Sequence, residues 1–184
     1  AVPMGGAHVT ADLARMLAEP ISPAERIKTL YGAALGDIEP GTDTVAVPQM
    51  GEDSEEGGPR VPRSMLTRII QPRLEEILSE VNTRLRASGF DVAAGRRAVI
   101  TGGASQLAGT RELAQRILNK QVRIGRPQTF HGLPAASAGP DYATALGLLM
   151  AGATMPPEAL NPDSVVAPKK NDSFFRRMLG GIFE

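Results

Sequence analysis

Residues 97–125, RAVITGGASQLAGTRELAQRILNKQVRIG, decide the fold of this chain. RAVIT has the apolar, β-branched composition of a strand, and the glycines of GGASQLAG are typical of a turn. TRELAQRIL has the spacing of an amphipathic helix, and QVRIG is typical of a second strand. A strand, a turn, a helix and a strand in this order form an α/β unit. The sequence therefore predicts an α/β protein.

A long helix precedes this unit. Apolar residues recur at steps of three and four between residues 64 and 88, which predicts a helix whose apolar stripe packs in the core. Pro72 lies inside this segment and predicts a kink. The stripe consists of Leu66, Ile69, Ile70, Leu74, Ile77, Leu78, Val81 and Leu85. A last helix is predicted at PDYATALGLLMAG, residues 140–152.

The first sixty residues predict two short helices and one strand. Thr10 is placed to cap a helix over ADLARML, and Ser22 and Glu25 have the spacing of a capping box with Pro23 at the first helical position. That second helix is predicted to end at Gly32. TVAVPQM, residues 44–50, predicts a strand, and GEDSEEGGPR, residues 51–60, predicts an acidic surface loop.

Composition excludes several functions. Twenty basic residues balance twenty acidic ones, so the overall positive field of a dedicated nucleic-acid binder is missing. There is no cysteine, and the two histidines, His8 and His131, lack the spacing of metal ligands, so no metal site is predicted. The first residues, AVPMGGAHVT, do not form a signal peptide. Because they are typical of a strand end and a glycine turn, we expect an upstream portion to be missing.

The glycine turn is the first candidate site. Thr101 to Ser105 join a strand to a helix, where glycine lets the backbone approach a ligand closely. The turn matches neither GK[ST] of a P-loop nor GxGxxG, so phosphate cradling by those two mechanisms is excluded. A purine or ribose face would fit on Gly102 and Gly103, but a plain tight turn explains the same residues. Glu25 and Lys28 are equally ambiguous, because an i, i+3 pair is also an ordinary solvated pair.

The order of several motifs resolves part of this ambiguity. VPMGGAHVTADLA, AERIKTLYG, IIQPRLEEI, VITGGASQLAG, VRIGRP and PDYATALGLL follow one another along the chain. This series resembles the second half of the FtsA family of bacterial cell-division proteins, members of the actin-like ATPase superfamily, from Val2 through Met150. The resemblance implies an actin-like, ribonuclease H-like subdomain with a smaller inserted α/β subdomain and a C-terminal amphipathic helix. The implied boundaries are 1–35 and 95–151 for the nucleotide-contacting subdomain, 36–94 for the inserted one, 152–172 for a flexible linker and 173–184 for the terminal helix.

The resemblance also implies ligands. ATP would bind with Mg²⁺, whose ligands are expected in the missing upstream half, so the chain would hold about half of a nucleotide cleft. Six residues match the adenosine side of the family's nucleotide site: Gly102, Gly103, Ala104 and Ser105 of the adenosine motif, and Glu25 and Lys28 of the helix that lines it. Gly5 and Gly6 directly follow the position of the family's second phosphate loop and would approach the phosphates. The inserted subdomain would receive the C-terminal peptide of FtsZ. Arg73 matches the family's arginine most closely, with Arg68 and Arg84 on the same helix, although all three are also typical of a solvated helix face.

The last twelve residues, SFFRRMLGGIFE, form two opposite faces when they are placed on a helix. One half-circle carries Phe174, Phe175, Met178, Leu179, Ile182 and Phe183, and the other carries the polar residues with Arg176 and Arg177. So short a helix is marginal in water and needs a surface, either its own protein or a membrane. Partial burial of six such side chains contributes about 6 to 10 kcal/mol before ordering costs, and each nearby basic residue adds about 1 kcal/mol on anionic lipid. These magnitudes favour reversible membrane attachment.

The sequence and the resemblance together predict an adaptor rather than a dedicated enzyme. It would bind ATP and tether FtsZ filaments to the cytoplasmic side of the bacterial inner membrane, with self-association into actin-like filaments and other divisome contacts. ATP hydrolysis stays open, because the residues that orient the attacking water would lie upstream. Two alternatives are an actin-superfamily enzyme, such as a sugar kinase or a chaperone ATPase, and a related pilus-assembly adaptor. A kinase would have no use for a membrane helix.

Overall fold

A computed structural model describes residues 1–36, 43–47, 59–93, 95–128 and 134–154. The helices are α1 (Gly6–Leu17), α2 (Ile21–Tyr31), α3 (Arg63–Ala87), α4 (Phe90–Ala93), α5 (Thr110–Leu118) and α6 (Ala143–Thr154). The strands are β1 (Thr44–Ala46), β2 (Arg60–Pro62), β3 (Arg97–Ile100) and β4 (Gln121–Ile124). Short 3-10 turns lie at Gly103–Gln106, Ala135–Ser137 and Pro140–Tyr142. This mixture of helices and strands confirms the predicted α/β class.

The α/β unit forms as predicted. Strands β3 and β4 pair in parallel, with Arg97 opposite Gln121 and Ile100 opposite Ile124, and α5 connects them. Ala98 and Ile100 pack with the buried Val122 against α5, whose inner face is also buried. The glycine turn is a single 3-10 turn followed by Gly109, which adopts a φ of +79° immediately before α5.

The starts of α1 and α2 differ from the prediction. Helix α1 begins at Gly6, so Thr10 is not its cap, and α2 begins at Ile21, one residue after Pro20, so the predicted capping box is wrong. The reason is a tertiary contact: the side chains of Thr10 and Glu25 hydrogen-bond to each other between α1 and α2, and neither side chain caps its own helix. Helix α2 ends as predicted, where the Gly32 N–H donates to the Lys28 carbonyl at 2.9 Å.

His8 contributes to the start of α1. The ring Nδ1 of His8 accepts a hydrogen bond from the Gly5 backbone N–H at 3.2 Å, and the backbone N–H of His8 donates to the Gly5 carbonyl at 2.9 Å. These bonds pair backbone groups that the first turn of a helix leaves without intrahelical partners. Among the described residues, no group of three or more histidine and acidic side chains is arranged to hold a metal ion.

Helix α3 matches the predicted segment to within one residue at each end and contains Pro72, while the kink stays a prediction. Its first half enters the core through Leu66, Ile70 and Leu74. The prediction that the whole stripe is core is wrong for Val81, whose side chain is 37 % exposed. Beyond Leu78 no described side chain of α3 belongs to a buried core cluster, and Val81 and Leu85 line an open apolar cavity of about 470 Å³.

A small hairpin lies between α2 and α3. Strand β1 confirms the strand predicted at TVAVPQM, and it pairs antiparallel with β2, with Val45 opposite Val61. Strand β2 was not predicted, because Pro59 precedes it, Pro62 is its last residue, and prolines indicate a loop. Most of the predicted acidic loop lies outside the described residues.

The chain divides into two units, residues 1–144 and residues 145–184. The core of the first unit joins α1, α2, α3, the hairpin and the residues around the glycine turn; its fully buried side chains include Val9, Leu13, Leu66, Ile70, Leu113 and Val47. Within the second unit the structure describes the part of α6 up to Thr154, while the predicted linker beyond it and the amphipathic segment 173–184 lie outside the described residues. No helix in the described part of the chain is long and apolar enough to cross a membrane. The subdomain boundaries drawn from the sequence stay predictions.

Candidate functional site

A cleft of about 730 Å³ opens between the start of α1, the middle of α2 and the glycine turn. Five of the eight residues predicted to bind nucleotide line it: Gly6, Glu25, Lys28, Gly103 and Ala104. The other three, Gly5, Gly102 and Ser105, line the apolar cavity beside α3 instead. The structure thus brings together residues that are up to 98 positions apart in the sequence. Their role in binding nucleotide stays a prediction.

Lys28 is the centre of the cleft wall. Its side chain is 7 % exposed, and its Nζ donates to the Glu25 carboxylate at 2.6 Å, the Thr10 hydroxyl at 2.8 Å and the Gly6 carbonyl at 3.3 Å. An ammonium group has three N–H donors, and these three acceptors use all of them. Lys28 therefore joins α2 to α1 and has no donor left for a ligand in this arrangement.

Glu25 faces the cleft with about half of its side chain exposed. Burial opposes ionisation of this carboxyl, but hydrogen bonds from Lys28 and Thr10 outweigh it and hold its pKa below the usual range. Glu25 is therefore an ionised acceptor at neutral pH. The hydrogen bonds from Lys28 and Thr10 both reach one oxygen, Oε2, while the neighbouring Thr29 hydroxyl donates to the Glu25 main-chain carbonyl and also lowers the pKa of the carboxyl. Oε1 is therefore the oxygen nearest to being available to hydroxyl or amine donors of a ligand.

Glycine makes the approach of α1 to the glycine turn possible. A Cβ atom on Gly6 would lie 3.1 Å from the Cβ of Ala104, which is tighter than almost all real Cβ contacts. Across the turn, Gly102 has a φ of +93° and its N–H donates to the Pro140 carbonyl at 3.0 Å. The Ser105 hydroxyl donates to the Gly102 carbonyl at 2.7 Å, so it stabilises the turn.

Several residues at this site were not predicted; the polar ones that matter most are Thr10, which hydrogen-bonds to Glu25 and Lys28, and the lining residues Gln106 and Asp141. Thr10 was assigned to a helix cap, and Gln106 and Asp141 were not considered. Gln106 Nε2 donates to Asp141 Oδ1 at 3.3 Å, and both residues line the cleft. The position of Asp141, directly after Gly139 and Pro140 at the start of the last predicted helix, is the signal that would have found it.

The charges of this wall favour one kind of ligand atom. Glu25 and Asp141 carry two negative charges against the single positive charge of Lys28, which is already paired. Carboxylates accept hydrogen bonds and repel phosphate. This wall therefore suits the hydroxyl and amine donors of a ribose or a base, and the phosphates of a nucleotide would face elsewhere.

A second candidate surface lies where α1 and α3 meet, and we call it the Arg73 surface. It surrounds a cavity of about 330 Å³ lined by Asp12, Arg15, Met16, Arg68, Ile69, Pro72, Arg73 and Glu76. Arg73 is ion-paired with Asp12 and Glu76, and Arg68 forms no ion pair with any other described residue. Arg84 lies three turns further along α3 and pairs with Glu80 at 2.6 Å. The structure thus places Arg68 and Arg73 together and Arg84 apart from them.

A parallel β–α–β unit whose glycine turn lies across a cleft from a buried lysine defines an α/β protein. Comparison with known proteins gives the family: the model described as "Cell division protein FtsA" matches residues 1–147. The chain therefore belongs to the FtsA family of cell-division proteins, which implies an actin-like fold and confirms the resemblance drawn from its motifs.

Individual relatives agree with the family match. The chain is 48 % identical over 150 residues to the cell division protein FtsA of Rhizobium meliloti and 46 % identical to that of Agrobacterium fabrum, in each case over 82 % of this chain and 34 % of the relative. It is 38 % identical over 162 residues to the cell division protein FtsA of Escherichia coli K12, over 82 % of this chain and 37 % of the relative. The chain spans about a third of the length of these relatives.

Proposed function

We propose that the chain is part of an adaptor that binds ATP and tethers FtsZ filaments to the cytoplasmic side of the bacterial inner membrane during septum formation. The observation that carries the proposal is the convergence of Gly6, Lys28 and Ala104 on one cleft in a chain of the FtsA family. Membership of this family favours an adaptor over the sugar kinase, the chaperone ATPase and the pilus-assembly adaptor. Actin-like self-association and contacts with other divisome proteins belong to the same proposal.

The cleft fits the nucleoside end of ATP. Gly6 and Ala104 form a closely packed backbone platform on which a flat ring system would lie, and Oε1 of Glu25 would accept a hydrogen bond from a ribose hydroxyl. Lys28 holds Glu25 and the Gly6 carbonyl in place. Bound ATP would then link this half of the cleft to the other half, which would carry the residues that bind the phosphates and Mg²⁺.

Replacing Gly6 with valine should lower ATP affinity more than tenfold. A Cβ at this position would already lie 3.1 Å from the Cβ of Ala104, tighter than nine in ten real contacts, so the two added methyl groups would displace α1 or Ala104 and enter the cleft. The measurement is calorimetric titration with ATP of a protein of the relatives' full length that carries this chain.

Gly147→Val is the matched control, because a Cβ on Gly147 meets nothing within 4 Å and Gly147 does not line the cleft. It should leave ATP affinity within about twofold. Equal ATP binding by the Gly6→Val variant and the unmodified protein would refute the assignment of this cleft to nucleotide.

The Arg73 surface fits an acidic peptide with an apolar anchor, which is the chemistry we propose for the C-terminal peptide of FtsZ. Arg68 and Arg73 offer guanidinium groups that bind carboxylates with two hydrogen bonds. Met16, which is 59 % exposed, and Ile69 offer apolar contact beside them. A peptide that combines both features would bind in the mode of short linear motifs.

Arg73→Glu should weaken binding of the FtsZ tail peptide about a hundredfold, because it replaces an attractive charge with a repulsive one at a partly desolvated site. Fluorescence polarisation with a labelled peptide measures the affinity. Arg84→Glu is the control on the same helix, about 16 Å along its axis, and should change the affinity little. If the two variants bind equally well, the Arg73 surface is not the peptide site.

A further inference from the structure

The ion pair between Asp12 and Arg73 is the starting point. Nε of Arg73 donates to Oδ2 of Asp12 at 2.5 Å, and Nη2 donates to Oδ1 at 3.1 Å, so one carboxylate grips one edge of the guanidinium. The side chain of Asp12 is 15 % exposed and that of Arg73 is 26 % exposed. The hydrogen bond from Arg73 is the main reason why the pKa of Asp12 lies below its usual range. The pair connects α1 to α3 across 61 positions of sequence.

Arg73 keeps donors for a partner in spite of this pair. A guanidinium has five N–H groups. Asp12 engages the one on Nε and one on Nη2, and Glu76 engages one on Nη1. One N–H therefore remains on each terminal nitrogen, which is enough to bind a further carboxylate.

The grip of Asp12 also fixes the direction of Arg73. A free arginine side chain loses rotamer freedom when it binds, and this loss weakens binding. Arg68, five residues earlier on α3, forms no ion pair with any other described residue, so no charged partner fixes its direction. The neighbouring charges that face Asp12 are Arg15 on its own helix, at 3.7 Å, and His8. Neither grips it with two hydrogen bonds, so Arg73 is its main partner.

We propose that Asp12 is a positioning residue for peptide recognition: it holds the Arg73 guanidinium in the orientation that receives a carboxylate of an acidic peptide. This inference rests on the proposed function of the Arg73 surface. Asp12 does not contact the peptide in this scheme. It acts through Arg73, so its effect should vanish when Arg73 is absent.

The test is a double-mutant cycle on binding of the labelled FtsZ tail peptide to the full chain. Asp12→Asn should weaken binding about 3- to 10-fold, because the amide cannot accept from both nitrogens and Arg73 is released. Asp12→Glu, which keeps the carboxylate, should recover most of this loss. In an Arg73→Gln background, Asp12→Asn should cause no further loss. Glu80→Gln is the matched control, because it removes the carboxylate partner of another arginine on α3, and it should leave binding unchanged.

The outcomes separate the two proposals. Unchanged or tighter binding by Asp12→Asn overturns the positioning role, and tighter binding shows that Asp12 instead competes with the peptide. An equal loss of peptide affinity in the Arg73→Gln background also overturns the positioning role, because Asp12 would then affect binding by stabilising the fold and not by orienting Arg73. If Arg73→Glu itself does not weaken binding, the proposed peptide surface is wrong, and the role of Asp12 falls with it.

Discussion

Gly109→Ala should destabilise the fold by about 2 to 4 kcal/mol, a large share of the 5 to 15 kcal/mol typical of a domain. A Cβ at this position would lie 2.7 Å from the Cβ of Leu35 and 2.8 Å from its backbone nitrogen. That backbone cannot easily retreat, because Ala34 donates its N–H to the Ala108 carbonyl at 2.7 Å. The positive φ of Gly109 adds a further cost for any residue with a side chain. Urea unfolding measures the difference.

Gly95→Ala separates the steric cost of an added Cβ atom from the conformational cost of a positive φ. Gly95 has a φ of +63°, but a Cβ there meets nothing within 4 Å. The variant should therefore lose only the conformational term, about 1 kcal/mol. If Gly109→Ala costs no more than Gly95→Ala, the close contact with Leu35 does not constrain the native state.

Removing residues 173–184 should release the protein from anionic vesicles, and Phe175→Glu should reduce vesicle binding more than tenfold. The deletion removes all six large apolar side chains of the terminal segment, and the substitution places a charge on their common face. Co-sedimentation with vesicles that contain an anionic phospholipid measures the bound fraction. Phe175→Leu keeps the face apolar and should bind nearly as well as the unmodified chain.

This prediction competes with docking of the segment on its own protein. Unchanged co-sedimentation of the deletion variant and of Phe175→Glu would exclude membrane attachment by this segment. Amide exchange gives an independent test, because a segment that stays protected on the protein in the presence of acidic vesicles cannot lie on lipid. Raising the salt concentration should weaken vesicle binding, since Arg176 and Arg177 act through screened charge.

Local patterns predicted the elements well. The strand, turn, helix and strand of residues 97–125 form as expected, because apolar periodicity and glycine position are local signals. Helix α3 was also found to within one residue at each end. Strand β2 was missed because only pairing with Val45 makes Val61 and its proline neighbours a strand. Val81 was misjudged because periodicity shows which face of a helix is apolar and not how far its neighbours extend.

The candidate site was predicted in part. The glycine turn and the Glu25–Lys28 pair are readable from the sequence, and the family resemblance linked them. The hydrogen bond from Thr10 to Glu25 is not readable from the sequence, because it joins two helices, and both residues were therefore predicted to be helix caps. Similarly, the sequence alone does not distinguish Arg68, Arg73 and Arg84, which lie on one helix. Only the packing of α1 against α3 separates Arg73, which is gripped by Asp12, from Arg84.

Pro72 removes one backbone hydrogen bond from α3 beside the Arg73 surface. Proline has no N–H, so it cannot donate to the carbonyl of Arg68 one turn earlier, as every other residue of a helix interior would. Both residues line the same small cavity. Helix α3 therefore lacks one backbone hydrogen bond at the Arg73 surface, so the direction of the helix there depends more on side-chain contacts such as the pair between Arg73 and Asp12.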